Sequence, residues 1–152
     1  MTISASQYDD KIAWYQNDGM GNFGIQQIIT TEADEATSVY AADIDNDGNI
    51  DVLSASQWDN KIAWYQNDGM GNFGTQQIIT TEANGAYDVY AADIDNDGDI
   101  DVLSASSNDN KIAWYQNDGM GNFDTQQVIT TDAIYAQSVY AADMDNDGNI
   151  DV

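Results

Sequence analysis

The sequence predicts an all-β fold built from repeated four-stranded antiparallel sheets, and two observations carry this prediction. The first is a tandem repeat of 50 residues over 3–52, 53–102 and 103–152, with nine differences between the first two copies and eleven between the last two. The second is that each copy contains four short runs rich in Val, Ile, Tyr, Trp and Thr, which are residues that strands favour. No stretch shows sustained apolar spacing of three and four, so we expect essentially no helix.

Each repeat places its four predicted strands in the same order. In one repeat unit they are "VYAADI" (39–44), "IDVLSAS" (50–56), "KIAWYQ" (61–66) and "TQQIIT" (75–80). The third and fourth strands are joined by "NDGMGNF", whose Asn-Asp-Gly and Gly-Asn steps tolerate positive φ. A tandem four-stranded antiparallel unit of about 50 residues is typical of a β-propeller blade. Residues 1–152 are therefore predicted to form a single repeat domain of three blades.

The number of repeats leads to a prediction about assembly. Propellers typically close with about 4 to 8 blades, and six is the only multiple of three in that range. We therefore expect a head-to-tail homodimer that forms one six-bladed ring. The chain begins within a second strand and ends with a first strand, so residues 139–144 would complete a blade that holds residues 3–30 of another copy. The alternative is that the chain is a fragment of a larger propeller.

The composition limits the function classes. There are 27 acidic residues against three basic ones, for a net charge of -24. Such a surface repels nucleic acids and anionic membranes, and no apolar run approaches the roughly 20 residues of a membrane span. The 42% hydrophobic content argues against a natively disordered chain. The sequence shows no signal peptide pattern, and its near-identical repeats indicate either recent duplication or a designed protein.

An acidic loop follows the first strand of each repeat: "DIDNDGNID" at 43–51, "DIDNDGDID" at 93–101 and "DMDNDGNID" at 143–151. Calcium takes six to eight oxygen ligands, and the pattern D-x-D-x-D-G-x-x-D offers four side chains and the backbone carbonyl of its seventh residue. We predict one Ca²⁺ per loop and three per chain. The alternatives are a solvated acidic turn and Mg²⁺, which prefers to keep several waters. The predicted ligands are Asp43, Asp45, Asp47, Asn49 and Asp51; Asp93, Asp95, Asp97, Asp99 and Asp101; and Asp143, Asp145, Asp147, Asn149 and Asp151.

These loops depart from an EF-hand, because Ser54 and Ser104 stand at position 12 and strands flank the loop. The combination of D-x-D-x-D-G-x-x-D between two strands with "YQNDGMGNF" resembles the FG-GAP or VCBS type of repeat in integrin alpha-like β-propellers, over the whole chain. The resemblance implies calcium loops between the first two strands of each blade, on the lower face of the ring, which they stiffen. It also implies partner binding through the opposite face and an extracellular or cell-surface location for the natural parent. Members of that family close with more blades in one chain.

The repeats differ most in two connections, the one after the second strand and the one before the first. In a four-stranded blade both lie on the face opposite the acidic loops. We expect a protein or glycan ligand to dock on this face, and the alternative is sequence drift in loops. The candidate residues are Tyr8, Trp58, Tyr87 and Tyr135.

Three further repeated features have structural interpretations. The aspartates of "NDGMGNF" are predicted to hold a turn, with a second metal site as the alternative. The tryptophans are predicted to pack between blades, with sugar stacking as the alternative, and the lysines to be exposed charges at the starts of strands. The residues are Asp18, Asp68 and Asp118; Trp14, Trp64 and Trp114; and Lys11, Lys61 and Lys111.

An enzyme is not expected, because the chain has no His, Cys or Arg and no isolated carboxylate pair outside the acidic loops. The sequence therefore predicts a calcium-binding β-propeller module with a scaffold, adhesion or protein-interaction role. The alternative is a carbohydrate-binding, lectin-like propeller.

Overall fold

The computed structural model of the protein describes residues 2–152, and its regular elements there are eleven strands in three antiparallel sheets. In those residues no helix is long and apolar enough to cross a membrane. The all-β prediction is confirmed. The strands are β1 (Thr2–Ser6), β2 (Lys11–Tyr15), β3 (Gln27–Thr30), β4 (Ala36–Ala42), β5 (Asp51–Ser56), β6 (Lys61–Tyr65), β7 (Gln77–Thr80), β8 (Ala86–Ala92), β9 (Asp101–Ser106), β10 (Lys111–Tyr115) and β11 (Gln127–Thr130).

Each sheet follows the order of the chain, as expected for blades joined by short connections. The second sheet has the order β4-β5-β6-β7 and the third β8-β9-β10-β11. The first sheet, β1-β2-β3, contains the counterparts of the second, third and fourth strands of the other two. Residues 136–142 repeat the sequence of β4 and β8, but in the described chain they form no named strand and contribute one isolated bridge, Ala142 to Asp151.

Strand bounds differ from the predicted ones where side chains of the loops bind the backbone. β4 ends at Ala42 rather than at Ile44, because the N–H of Ile44 donates to the carboxylate of Asp51 and belongs to the acidic loop. β7 begins two residues later than predicted, since Gly74 N donates to Gln66 O and closes the preceding loop.

The hydrophobic core lies between sheets rather than within one. Leu53, Ile62 and Trp64 of the second sheet belong to the same buried cluster as Val102 and Tyr115 of the third. A second cluster joins the first and second sheets, and a third joins the third sheet to residues 133–141. Trp64 is buried in this core, as predicted for a tryptophan that packs between blades.

One prediction about the surface is wrong. The lysines begin the third strands as predicted, but they are not exposed, because Lys11 and Lys61 are half-buried and Lys111 is buried. Each also forms an ion pair with the aspartate two residues earlier, within the hairpin. The Nζ to carboxylate distances are 2.7 Å for Lys11 with Asp9, 2.7 Å for Lys61 with Asp59 and 2.9 Å for Lys111 with Asp109. The exposed fraction of the lysine side chains falls from 28% to 18% to 11% along this series, so the lysine of the third repeat is the most covered of the three.

The strand directions place two kinds of loop at opposite ends of each sheet. β5 runs from the end of the acidic loop, at Asp51, to the hairpin that begins at Gln57. That hairpin contacts the connection before β4, since Gln57 N donates to Glu35 O at 3.0 Å and Trp58 N donates to Asp34 O at 3.3 Å. The two variable connections therefore share one face, and the acidic loops lie on the other.

Candidate metal centres

Each acidic loop turns sharply at two positions, an asparagine and a glycine, that tolerate positive φ. In the first loop, Asn46 has a φ of 55° and Gly48 a φ of 86°, and both values lie in the left-handed region. Asparagine tolerates this region better than most residues, and glycine adopts it without steric cost. The equivalent residues of the other two loops have the same conformation. The bends turn the carboxylates of one loop toward a common point.

Three carboxylates converge in every loop, with one oxygen of each within 4.8 Å of the others. They are the first, third and ninth residues of the motif. A cluster of this kind offers a hard cation several oxygen ligands at once. The sets are Asp43, Asp45 and Asp51; Asp93, Asp95 and Asp101; and Asp143, Asp145 and Asp151.

Asp51 is the buried member of the first cluster, with none of its surface exposed. Its two oxygens accept the N–H of Ile44 at 3.0 Å and the N–H of Asn67 at 2.8 Å. Burial, reinforced by repulsion from Asp45 and Asp47, raises the pKa of Asp51 to about 6. The carboxylate is thus held rigidly in a place that disfavours its charge, and a bound cation would relieve that cost.

The remaining members of the cluster also fit a cation. Asp43 Oδ2 accepts the N–H of Gly48 at 3.0 Å, whereas Asp43 Oδ1 is buried with no hydrogen-bond partner in the described residues. An orphaned buried carboxylate oxygen is costly, and such atoms commonly mark an ion or water site. Asp45 Oδ2 accepts a hydrogen bond from the side chain of Gln66, which orients the carboxylate.

The fifth and seventh residues of the motif, which were also predicted ligands, lie outside the three-carboxylate clusters. Asp47 Oδ1 accepts the N–H of Asn49 at 2.8 Å, and Asp97 Oδ1 accepts that of Asp99 at 2.9 Å. The carboxylate of the fifth residue thus stabilises the turn, while ligation by Asp47, Asp97 and Asp147, and by the carbonyls of Asn49, Asp99 and Asn149, stays a prediction.

Sequence reasoning missed the residues that support the clusters from the next loop of the same sheet. Gln66 and Asn67 follow β6 and bind Asp45 and Asp51, and Asn67 Nδ2 also donates to Ile50 O at 2.9 Å. The third sheet repeats these contacts through Gln116 and Asn117. The only sequence signal was the invariance of "YQND" across the repeats, which does not say what the side chains contact.

The third cluster lacks this support. In the described chain Asp151 is exposed, and its carboxylate accepts one backbone N–H, that of Met144 at 3.0 Å. Asp145 is exposed as well. No glutamine or asparagine of residues 2–152 contacts the carboxylates of these two residues in the way that Gln66 and Asn67 contact Asp45 and Asp51.

The "NDGMGNF" loops behave as structural turns. Asp18 Oδ1 accepts the N–H of Met20 at 2.8 Å and that of Asn22 at 3.1 Å, while its other oxygen accepts the amide of Asn22 at 2.8 Å. The Asn22 amide, together with these backbone N–H groups, lowers the pKa of Asp18. Asp68 and Asp118 make the same contacts. These carboxylates are satisfied within their own turns, which supports the structural interpretation over a second metal site.

The predicted ligand face presents aromatic side chains of different exposure. Tyr8 is 96% exposed, Trp58 71% and Tyr135 58%, whereas Tyr87 lies in β8 and is half-buried. A shallow groove beside Trp58 is lined by Glu35, Gln57, Asn60, Asn84 and Asn108. An exposed indole edged by amides is a surface that can stack on and hydrogen-bond to a polar ligand.

Comparison with solved structures shows a related fold. The chain is similar to a lectin from Agrocybe aegerita whose structure concerns the specific recognition of non-reducing terminal N-acetylglucosamine, with a TM-score of 0.58 and 19% sequence identity. The match covers 88% of this chain and 39% of the lectin chain, so this chain spans about two fifths of that protein's length. A likeness at this identity concerns the fold alone. No curated protein matches the sequence.

Comparison with protein families gives a more specific result. The FG-GAP-like repeat matches three times, over residues 2–54, 43–104 and 93–152. These matches extend over all of the described chain, and each contains at least one acidic loop or its adjoining strands. The resemblance stated from the loops and from "YQNDGMGNF" is confirmed, and so is the β-propeller blade architecture. The chain belongs to the FG-GAP-like repeat family.

Proposed function

We propose that this protein is a calcium-binding β-propeller module with a scaffold, adhesion or protein-interaction role. The observation that carries the calcium proposal is the convergence of three carboxylates within 4.8 Å in every repeat, together with the buried, unpartnered Oδ1 of Asp43. A net charge of -24 makes the empty loops repel one another and the rest of the chain, so cations stabilise the folded state.

The donor set favours calcium over magnesium. Every candidate ligand is an oxygen, and the loop can offer side-chain and backbone oxygens from five of its nine residues. Calcium accepts six to eight oxygens in flexible geometry, whereas magnesium demands a near-ideal octahedron and retains waters. When bound, the cation would neutralise the converging carboxylates, while Gln66 and Asn67 orient them through the hydrogen bonds described above.

Titration calorimetry with CaCl₂ and, separately, MgCl₂ tests this proposal on the metal-free protein. We expect calcium to bind at more than one site per chain and at least about tenfold more tightly than magnesium. The variant Asp45→Asn should lose about one calcium per chain. Asp68→Asn is the matched control, because Asp68 is an acidic residue of the same face that contacts its own turn. A chain that binds no calcium, or an Asp68→Asn variant that loses as much as Asp45→Asn, would contradict the proposal.

A carbohydrate-binding role is the second candidate, and the groove beside Trp58 favours it. Stacking on an exposed indole with hydrogen bonds from neighbouring amides is a chemistry suited to sugars, and the lectin with a similar fold recognises terminal N-acetylglucosamine. A glycan array separates this role from protein binding. If a glycan is retained, Trp58→Ala combined with Tyr87→Ala should abolish the signal, while Met70→Ala, an exposed apolar residue on the opposite face, should not.

The remaining parts of the proposal concern the setting of the protein. We propose no catalytic activity, since the residues offer metal ligands and turns but no general acid–base pair outside them. We place the natural parent outside the cell or at the cell surface, where calcium is abundant enough for modules of modest affinity. Its ligand is proposed to be a protein or a glycan, with no nucleic acid partner and no insertion into a membrane.

A further inference from the structure

We propose that two copies of this chain associate head to tail, and that residues 136–151 of each copy complete both the first sheet and the third cation site with residues of the other. The part of this inference that concerns the cation rests on the proposed calcium binding, and the pairing of strands does not. The occupant of the open edge of β1 is a second copy of this chain, because the internal repeat gives residues 136–142 the sequence that pairs with this edge in the other sheets.

The first sheet lacks the strand that the other two sheets possess at the equivalent edge. In the second sheet, β4 pairs with β5 in a register that places Val39 opposite Ser54. The repeat transfers this register to Val139 opposite Ser4 of the partner subunit. In the described chain β1 pairs with β2 only, and residues 136–142 pair with no named strand. Two unpaired edges with the sequences of a native pair are complementary surfaces.

Residues 136–142 are already positioned for this pairing. Ala136, Val139 and Ala141 are at most 9% exposed, because they pack on Leu103 and Ala105 of the third sheet. The tyrosine ring of this segment is placed like those of β4 and β8: the ring centroids are 4.9 Å apart for Tyr40 and Tyr90, and 4.8 Å apart for Tyr90 and Tyr140. The segment thus follows the path of β4 and β8 and lacks only the hydrogen-bonded neighbour.

The third cation site lacks the support that the same junction would supply. Asp51 and Asp101 accept the backbone N–H of Asn67 and Asn117, respectively, sixteen residues further along the chain. The repeat assigns this role for Asp151 to Asn17 of the partner subunit, and assigns the contact of Gln66 with Asp45 to Gln16 of the partner subunit with Asp145. In a single copy all four of these side chains carry exposed surface.

Close contacts of the glycines in the "NDGMGNF" loops are likewise present within the chain and missing at the junction. A Cβ added at Gly69 would lie 2.6 Å from Asn49 Oδ1, and one at Gly71 would lie 2.9 Å from Cζ2 of Trp14. At Gly19 and Gly21 nothing in the described chain lies within 4 Å of such a Cβ. By the repeat, Gly19 and Gly21 would face Asn149 and Trp114 of the partner subunit. In the described chain Asn149 is exposed, and Trp114 is partly buried with its indole Nε1 buried and without a hydrogen-bond partner.

The number of copies follows from the count of blades. Each copy contributes two complete sheets, and each junction completes one more, so that two copies give six blades and three copies give nine. Propellers typically contain about 4 to 8 blades, so the head-to-tail contact closes with two.

Sedimentation and native mass measurements on the full chain test the association. In calcium we expect a mass of twice 16.6 kDa. The variant Asn17→Ala should raise the dissociation constant about tenfold or more, since it removes a side-chain hydrogen bond to the carbonyl of Ile150 of the partner subunit at each of the two junctions. Its matched control, Asn67→Ala, removes the equivalent side-chain hydrogen bond to Ile50 O within the second sheet and should lower the melting temperature without changing the dissociation constant. A monomer or a trimer in calcium, or equal effects of the two variants on dissociation, would overturn the inference.

Cross-linking tests the register without relying on calcium or on Asn17, because the chain contains no cysteine. One population carries Ser4→Cys and the other Val139→Cys, and the mixture is oxidised with diamide, which takes up the two hydrogens that the thiols lose. We expect a disulfide-linked heterodimer, and none when Met70→Cys replaces Val139→Cys. Failure to form it overturns the inference even if calcium binds. A cross-linked dimer that binds no calcium overturns the proposed function and the cation part of the inference, and leaves the pairing of strands.

Discussion

The two interior acidic loops and the last one have nearly the same sequence but different surroundings. Asp51 and Asp101 are completely buried, and each accepts two backbone N–H groups, one of them from the loop that follows the third strand of the same sheet. Asp151 is exposed and accepts one. The difference shows that the motif itself brings the carboxylates together, whereas contacts from a neighbouring loop of the same sheet bury and fix them.

Calcium removal should have the largest effect on the interior sites. A ligand present at a hundred times its Kd stabilises the folded state by about 2.7 kcal/mol per site, and 1 kcal/mol shifts the melting temperature of a domain of this size by about 2–4 °C. Two occupied interior sites therefore add about 10 °C or more. Thermal melting in calcium and in EDTA, at a low protein concentration, measures this stabilisation. A melting temperature that EDTA does not change would contradict calcium binding at the interior loops.

Single substitutions should separate the two kinds of loop. Asp101→Ala removes a proposed calcium ligand and leaves the N–H groups of Ile94 and Asn117 without their acceptor, which we expect to lower the free energy of unfolding in calcium by about 3 kcal/mol. Asp151→Ala should lower it by less than about 1 kcal/mol at a protein concentration where the chain is monomeric, because its surroundings are exposed. Urea unfolding of both variants provides the measurement, and equal losses would contradict the comparison.

A buried tyrosine hydroxyl tests the difference in burial between the third and the first sheet at a place outside the acidic loops. Tyr115 is buried, and its hydroxyl lies 3.1 Å from Ser104 Oγ and accepts the amide of Gln126 at 2.6 Å. Tyr115→Phe should lower the free energy of unfolding by about 1–2 kcal/mol. Tyr15→Phe, at the equivalent place in the less covered first sheet, should cost less, because that hydroxyl accepts one exposed amide, that of Gln26. Urea unfolding distinguishes the two.

A separate effect concerns the pH dependence of the calcium-free protein. The pKa of Asp51 is raised by burial from 3.8 to about 6, so the folded state binds this proton more tightly than the unfolded chain. The resulting stabilisation is complete below about pH 4 and is lost as the pH rises through 6. In EDTA the melting temperature should therefore fall between pH 4 and pH 7, and Asp51→Asn should make this fall smaller while Asp151→Asn should not change it. Burial also raises the pKa of Asp101, so part of the fall should persist in Asp51→Asn.

The strands, their order and the acidic loops could be predicted because each depends on neighbouring residues. Alternating apolar residues and β-branched side chains indicate a strand whatever it packs against, and Asn46 and Gly48 bend the loop through their own φ preferences. The convergence of Asp43, Asp45 and Asp51 follows from the spacing within nine residues. Because the repeat occurs three times, each local prediction applies to three places in the chain.

Contacts between loops could not be predicted in the same way. The role of Gln66 and Asn67 depends on how far the loop after β6 lies from the acidic loop, which the pairing of β5 with β6 sets. The lysine error has a similar origin: Lys111 is covered where its Nζ donates to the carbonyl of Glu82, 29 residues earlier in the chain.

Local sequence patterns thus account for the blade, its strand order and the three carboxylates that could hold a cation, because hydrogen bonding within a sheet and turn geometry act over short distances. Burial is different, since it depends on which surface lies against another. Asp51 and Asp151 occupy the same position of the same motif, and packing of a neighbouring loop gives one a raised pKa and rigid partners while the other faces solvent.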